Sequence, residues 1–186
     1  MTTYITQSIE GVNLSAIYTA YDQTAATSSS NDPSNPGPPF TVGTEVVCTD
    51  GSIWMFVKVA TSATLAQYNC VGIDVSAFTA TPTVGGATYE ATKKRVGFYQ
   101  NSTSATAAQY CWVMLSGAPT VLIAASAAKA VQLYTTDTSG VLDDGIATGS
   151  QYPVRNVFLL TTSGSTASNG VANASWPAFG PQTALI

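Results

Sequence analysis

The stretch Tyr110 to Leu115, YCWVML, constrains the fold more than any other part of this chain. As a strand it carries Tyr110, Trp112 and Met114 on one face and Cys111, Val113 and Leu115 on the other. Both faces are apolar, so both are buried, and something has to cover each. A second sheet, a long arm or another subunit would serve. The stretch sits in a longer run from Lys94 to Ala125, where short apolar segments rich in Val, Ile, Tyr, Phe and Trp are split by Ser, Thr, Asn and Ala linkers. The corner Gly117-Ala118-Pro119 reads as a turn between two of these segments.

The same pattern extends from Val42 onward. Thr44 to Thr49 and Ser52 to Val59 flank Asp50-Gly51, a strong hairpin signal. In the returning segment Trp54 and Phe56 face one way, and Ile53, Met55, Val57 and Val59 the other. Further strand segments are Gln67 to Val75, Ala87 to Thr92 (short and weak), Arg95 to Gln100, Val131 to Thr135, Val141-Leu142, Pro153 to Thr161 and Val171 to Trp176. In Pro153 to Thr161, simple alternation puts Val154, Phe158 and Leu160 on one face. Turns fall at Asp137 to Gly140 and Asp143 to Gly145. Only Ala124 to Ala130, AASAAKA, has helix composition, enough for a turn or two. About ten short strands at this spacing predict an all-β fold, a sandwich or jelly-roll-like barrel. One internal echo, Ala66-Gln67-Tyr68-Asn69-Cys70-Val71 against Ala108-Gln109-Tyr110-Cys111-Trp112-Val113, falls where a polar linker enters a strand each time. A single echo does not make a repeat protein.

Residues 1–43 differ. Met1 to Tyr21 mixes Ile5, Ile9, Val12, Leu14 and Ile17 with polar residues in no clean period. Gln23 to Phe40, QTAATSSSNDPSNPGPPF, holds four prolines and three consecutive serines, a loop without a core of its own. The division expected is an extended N-terminal arm with a Pro/Ser-rich strap over 1–43, and a β-rich domain over 44–186.

The available chemistry is narrow. There is no histidine, which removes Ser-His-Asp and Cys-His mechanisms and imidazole metal sites. No nucleophile elbow, phosphate loop or dinucleotide fingerprint is present. The three cysteines, Cys48, Cys70 and Cys111, are widely spaced inside apolar runs and read as small buried hydrophobes in a reducing compartment. Asp143-Asp144 with Asp137 is the one place to weigh for calcium, but its spacing matches no calcium loop and a solvated turn explains it. No cofactor, metal or catalytic residue is expected, and the chain reads as a non-enzyme. Its lone basic run, Lys93-Lys94-Arg95, is too small for a nucleic-acid face. No apolar run is long enough for a membrane helix, and with no charged n-region and h-region at its start no signal peptide is expected. Charged residues make up 9%, against about 25% in ordinary soluble domains. A surface so poor in charge is one that copies of itself, or a larger assembly, would cover.

Five segments then carry a resemblance. They are Asp50-Gly51-Ser52-Ile53-Trp54-Met55-Phe56-Val57; Ala66-Gln67-Tyr68-Asn69-Cys70-Val71-Gly72-Ile73-Asp74; Arg95-Val96-Gly97-Phe98-Tyr99-Gln100; Gln109 to Gly117; and Leu133 to Asp144. In that order the chain resembles the small head decoration, or cement, proteins of tailed bacteriophages, over roughly Val46 to Trp176. Where such proteins carry Tyr-Gly-Trp before the Gly turn, this chain has Tyr110-Cys111-Trp112. The resemblance implies a β-rich module on the outer face of an icosahedral capsid, made in the host cytoplasm, that clamps neighbouring major capsid subunits. Its partners would be the major capsid protein and copies of itself, as a dimer or trimer. The arm would drape over a neighbouring subunit. Trp54, Phe56, Tyr110, Trp112 and Phe158 are assigned to core or subunit contacts. The alternative is a carbohydrate-binding or adhesion module, with Trp54, Tyr68, Tyr99, Tyr110, Trp112 and Trp176 lining a groove.

Overall fold

The computed structural model describes residues 12–19, 38–85, 93–146 and 151–179. Within them the chain is all-β. Eleven strands follow in order: β1 Glu45–Val47, β2 Ile53–Val59, β3 Cys70–Asp74, β4 Thr79–Pro82, β5 Lys93–Phe98, β6 Tyr110–Gly117, β7 Thr120–Ile123, β8 Gln132–Thr135, β9 Val141–Asp143, β10 Pro153–Leu159 and β11 Ser168–Phe179. The segment Ala87 to Thr92 lies outside the described residues.

The strands close into two rings, which gives the predicted barrel a specific form. In the first, β2 pairs with β4, β4 with β3, β3 with β5, β5 with β6, and β6 returns to β2. In the second, β7 pairs with β9, β9 with β8, β8 with β10, β10 with β11, and β11 returns to β7. The two rings share one topology. In each, the first strand runs parallel to the third and every other pairing is antiparallel.

Matching positions behave alike. Val59 lies beside Ala80 in the parallel pair of the first ring, and Ile123 beside Leu142 in the second. Ala60 N–H donates to the Ala80 carbonyl at 3.0 Å, and Ala124 N–H to the Leu142 carbonyl at 2.8 Å. The loops that follow carry a sequence echo: Ala60, Ser62, Ala63 and Ala66 correspond to Ala124, Ser126, Ala127 and Ala130. Thus AASAAKA forms no helix; it is the second ring's version of ATSATLA. Phe78 and Gly140, just before the third strand of each ring, both have left-handed backbone, at φ 49° and 75°.

The echo between Ala66 to Val71 and Ala108 to Val113 has a local cause. Two similar turns lead into β3 and β6, bracketed by the bridge between Leu65 and Ala105. Ala66 N–H donates to Asn69 Oδ1 at 2.8 Å and Thr106 N–H to Gln109 Oε1 at 2.7 Å.

Gly117-Ala118-Pro119 is a corner, but the strands it joins do not pair with each other. β7 pairs with β11 and β9, so the corner carries the chain from one ring to the next. β11 pairs with the end of β6 through Ala174–Gly117 and Ser175–Ser116. From there β11 passes over the outer side of β5, whose Val96 and Phe98 join the second core with Cys70. The small residues Ala172 and Ala174 on the underside of β11 leave room for Phe98. Main-chain bonds tie the junction: Cys70 N–H to the Gly140 carbonyl at 3.0 Å, Gly140 N–H to Thr83 at 2.7 Å and Leu122 N–H to Tyr68 at 3.1 Å. The Gln100 side-chain amide also bonds both the N–H and the carbonyl of Thr120.

The hairpin predicted at Asp50-Gly51 is present, with β1 paired antiparallel to β2. Its three-residue loop places Gly51 at φ 79°, the left-handed position this loop length requires. In β2, Met55, Val57 and Val59 fill the first ring, while Trp54 and Phe56 face outward, as alternation predicts.

One alternation is overturned. Val154 points into the second core, whereas Phe158 and Leu160 are half exposed. Asn156 has φ 62°, and the register of β10 against both neighbours slips there. The extra residue flips the parity, so Val154, Val157 and Leu159 point inward.

Candidate functional site

Both faces of β6 are covered, as its sequence demands. Cys111, Val113 and Leu115 lie inside the first ring with Met55, Val57, Val71, Ile73 and Tyr99. On the outer side Trp112 and Met114 lie beside Trp54, Phe56, Val46 and Cys48. The cover there is the described part of the arm: Val12, Leu14, Tyr18, Phe40 and Val42 pack on this layer. Phe40 meets Trp112 and Phe56 edge-on, with ring centroids 5.3 and 5.6 Å apart, and Tyr18 meets Phe56 at 5.8 Å. Tyr18 also exchanges both main-chain bonds with Tyr110, at 2.9 and 2.7 Å. Residues 12–19 and 38–43 therefore strap the chain's own sheet.

Four of the five residues singled out by sequence are thus brought together. Trp54, Phe56, Tyr110 and Trp112 form one aromatic layer, with the Phe56 and Tyr110 rings stacked at 6.0 Å and the Lys58 ammonium 5.7 Å from the Tyr110 ring. Trp54 donates its indole N–H to Ser52 Oγ at 2.9 Å, and Ser52 Oγ donates in turn to Asp50 Oδ1 at 2.6 Å. Trp112 differs. It is fully buried and its indole N–H finds no acceptor among the described residues. The fifth residue, Phe158, belongs to neither core. It is 49% exposed on β10.

A feature that sequence reading missed surrounds Phe158. Leu160 is 50% exposed and Val171 40% exposed, and Leu160 N–H bonds the Val171 carbonyl, so the two lie side by side across β10 and β11. Asn156, Phe158, Asn173 and Ser175 line a shallow hollow of about 390 Å³ next to them. Trp176, 43% exposed, lies under the Arg95 guanidinium at 5.0 Å, and Arg95 pairs with Glu45 at 2.6 Å. The bulge at Asn156 creates this strip, and no residue type in the sequence announces a bulge there.

Polar groups are not gathered for chemistry. Among the described residues no three His, Cys, Asp or Glu side chains are grouped to hold a metal ion. Asp144 Oδ2 accepts the Ala128 N–H at 2.8 Å, and Asp143 Oδ1 accepts the Asp144 N–H at 2.8 Å. This pair ties the β9 turn to the loop after β7. Burial, with the Asp144 charge beside it, raises the Asp143 carboxyl above its ordinary range.

The cysteines are free and buried. Burial pushes the Cys70 thiol up to about 12, against a weaker opposing bond to Thr83, and pushes Cys111 up to about 12 as well. It raises Tyr99 too, which adjoins Cys111. Each of these groups is neutral in the fold. For the two thiols the contribution to stability is whole below the unfolded value near 9 and is lost as pH climbs toward 12. Two results are expected. A thiol reagent at pH 8 should label neither Cys70 nor Cys111 until denaturant unfolds the chain, and the urea midpoint should fall steadily above pH 9. Rapid labelling of both in native conditions would contradict their burial.

The strap carries its own expectation. Deleting residues 1–43 bares Phe56 and Trp112, so the truncated chain should melt well below the full one and bind a hydrophobic dye. Equal melting temperatures would show that the strap does not cover the layer. Neither protein-family models nor the curated proteins searched give a match to this chain.

Proposed function

We propose that this chain is a structural capsid decoration protein. It binds the outer face of an icosahedral phage head and clamps neighbouring major capsid subunits, strengthening the shell from outside after synthesis in the host cytoplasm. The observation that carries this reading is the combination of a closed double ring with a low content of charged residues, 9%, and no gathered reactive groups among the described residues. Such a molecule has area to offer rather than chemistry. Repeated over a shell, modest affinity at each site adds up through many simultaneous contacts.

The carbohydrate alternative is less well supported. Trp54, Tyr99 and Trp112, half of the aromatics that would line its groove, are buried and cannot stack on a sugar. The decoration reading is tested by adding the purified chain to phage heads that lack it. Saturable binding and a higher rupture temperature of the filled heads are expected. No binding at any concentration, with saturable glycan binding instead, would overturn it.

A further inference from the structure

The hollow beside Phe158 lies at a break in the pairing of β10 and β11. Arg155 pairs with Ala178 and Val157 with Ala174, so the single residue Asn156 lies opposite three, Ser175, Trp176 and Pro177. Asn156 and Trp176 both take left-handed backbone there, at φ 62° and 50°, a conformation rare for a side chain as bulky as tryptophan. Breaks of this kind re-aim side chains and are over-represented beside functional sites. Here Asn156, Phe158, Asn173 and Ser175 line about 390 Å³, and all four are exposed. That volume falls within the roughly 300–1,000 Å³ of small-molecule sites. The amides of Asn156 and Asn173 and the hydroxyl of Ser175 make no hydrogen bond among the described residues. Arg155, exposed beside Asn156, has no ion pair among them either. The chain's other arginine, Arg95, is engaged by Glu45 and Trp176. No Asp or Glu occurs in β10 or β11.

We propose that this hollow binds an acidic sugar, a pyranose carrying a carboxylate, within a glycan. A pyranose has an apolar C–H face and a rim of hydroxyls. The half-exposed Phe158 ring offers a surface for the first. The rim needs donors and acceptors together, and each asparagine amide supplies both, as does the Ser175 hydroxyl. The free Arg155 guanidinium fits a carboxylate through two parallel N–H bonds, and no acid on either strand competes for it or repels the ligand. A purely apolar partner would strip water from these polar groups and return no bond. A neutral sugar would leave the arginine unused. The site is separate from the groove of buried aromatics set aside above, and the proposal does not rest on the decoration reading.

An array of glycans containing uronic or sialic acids, beside neutral glycans of the same length, tests it on the full chain. The acidic set should bind, and the neutral set at least about tenfold more weakly. Titration calorimetry with the tightest acidic glycan then takes two variants. Arg155→Gln should weaken binding about tenfold or more and leave the carboxyl-methylated form of the same glycan unaffected. Phe158→Ala should weaken both forms. Both side chains are exposed, so the circular dichroism spectrum should not change. If a variant fails to fold, the wild type alone decides: raising salt from about 50 to about 500 mM should weaken the acidic glycan and spare the methylated one. No acidic glycan bound at about 1 mM, equal binding of the acidic and neutral sets, or a folded Arg155→Gln that binds as the wild type does would overturn the proposal. Head binding by a chain that binds no glycan would leave the decoration reading standing, and glycan binding without head binding would count against that reading alone.

Discussion

Replacing Trp112 with alanine is expected to destabilise the chain by about 3–5 kcal/mol, the range for removing a large buried aromatic. That is a large share of the 5–15 kcal/mol typical of whole domains and corresponds to roughly 6–20 °C in melting temperature. Trp112 is fully buried, pairs with Phe56 across β2 and β6 and carries the edge of Phe40. Its loss opens a void under the strap and frees Phe40 as well. Trp112→Phe should behave differently. The indole N–H has no acceptor among the described residues, so removing it forfeits no bond there and relieves the cost of burying an unmet donor. A thermal melt of both variants is the check. Alanine should lower the midpoint several times further than phenylalanine. Equal losses would mean that the N–H has a partner after all.

The second large effect is expected at Gly140. Its φ of 75° already disfavours any side chain, and a Cβ there would sit 2.2 Å from Asn69 Nδ2 and 2.9 Å from Asn69 Cβ. Asn69 cannot simply swing away, because its Oδ1 holds the Ala66 N–H at 2.8 Å. Gly140 also bonds Thr83 and Cys70, so the strain falls on the joint between the rings. Backbone strain and overpacking together put Gly140→Ala at about 3–5 kcal/mol. Gly51→Ala separates the two causes. Gly51 has nearly the same φ, 79°, but nothing within 4 Å of a built Cβ, so only the strain remains, about 1 kcal/mol. Urea unfolding of the pair checks this. Similar costs for the two would show that the Asn69 contact is not as close as described.

Much of the fold is legible in the residues. The double apolar pattern of β6 required cover on both faces, and the first ring and the strap provide it. Asp50-Gly51 marked its hairpin, and Trp54 and Phe56 marked the outer side of β2. What escaped has physical causes. β4 is TATP, four residues with a single buried Ala80, so neither β propensity nor alternation flags it; its place comes from pairing with β2 and β3. The parity of β10 turns on one left-handed residue, Asn156, which local pattern cannot reveal. The shared topology of the two rings was hidden because their sequences agree only in the small-residue loops after β2 and β7, where alanine and serine invite a reading as mere linker. The strip around Phe158 follows from the same bulge, so its exposure became visible only with the register of β10.

The claim that this is a shell protein is tested most directly by counting. Virions purified on a density gradient from the lysate in which the chain is made should carry it in a fixed ratio to the major capsid protein, hundreds of copies per particle, through repeated washing. A chain absent from washed particles, or present at only a few copies, would contradict the account.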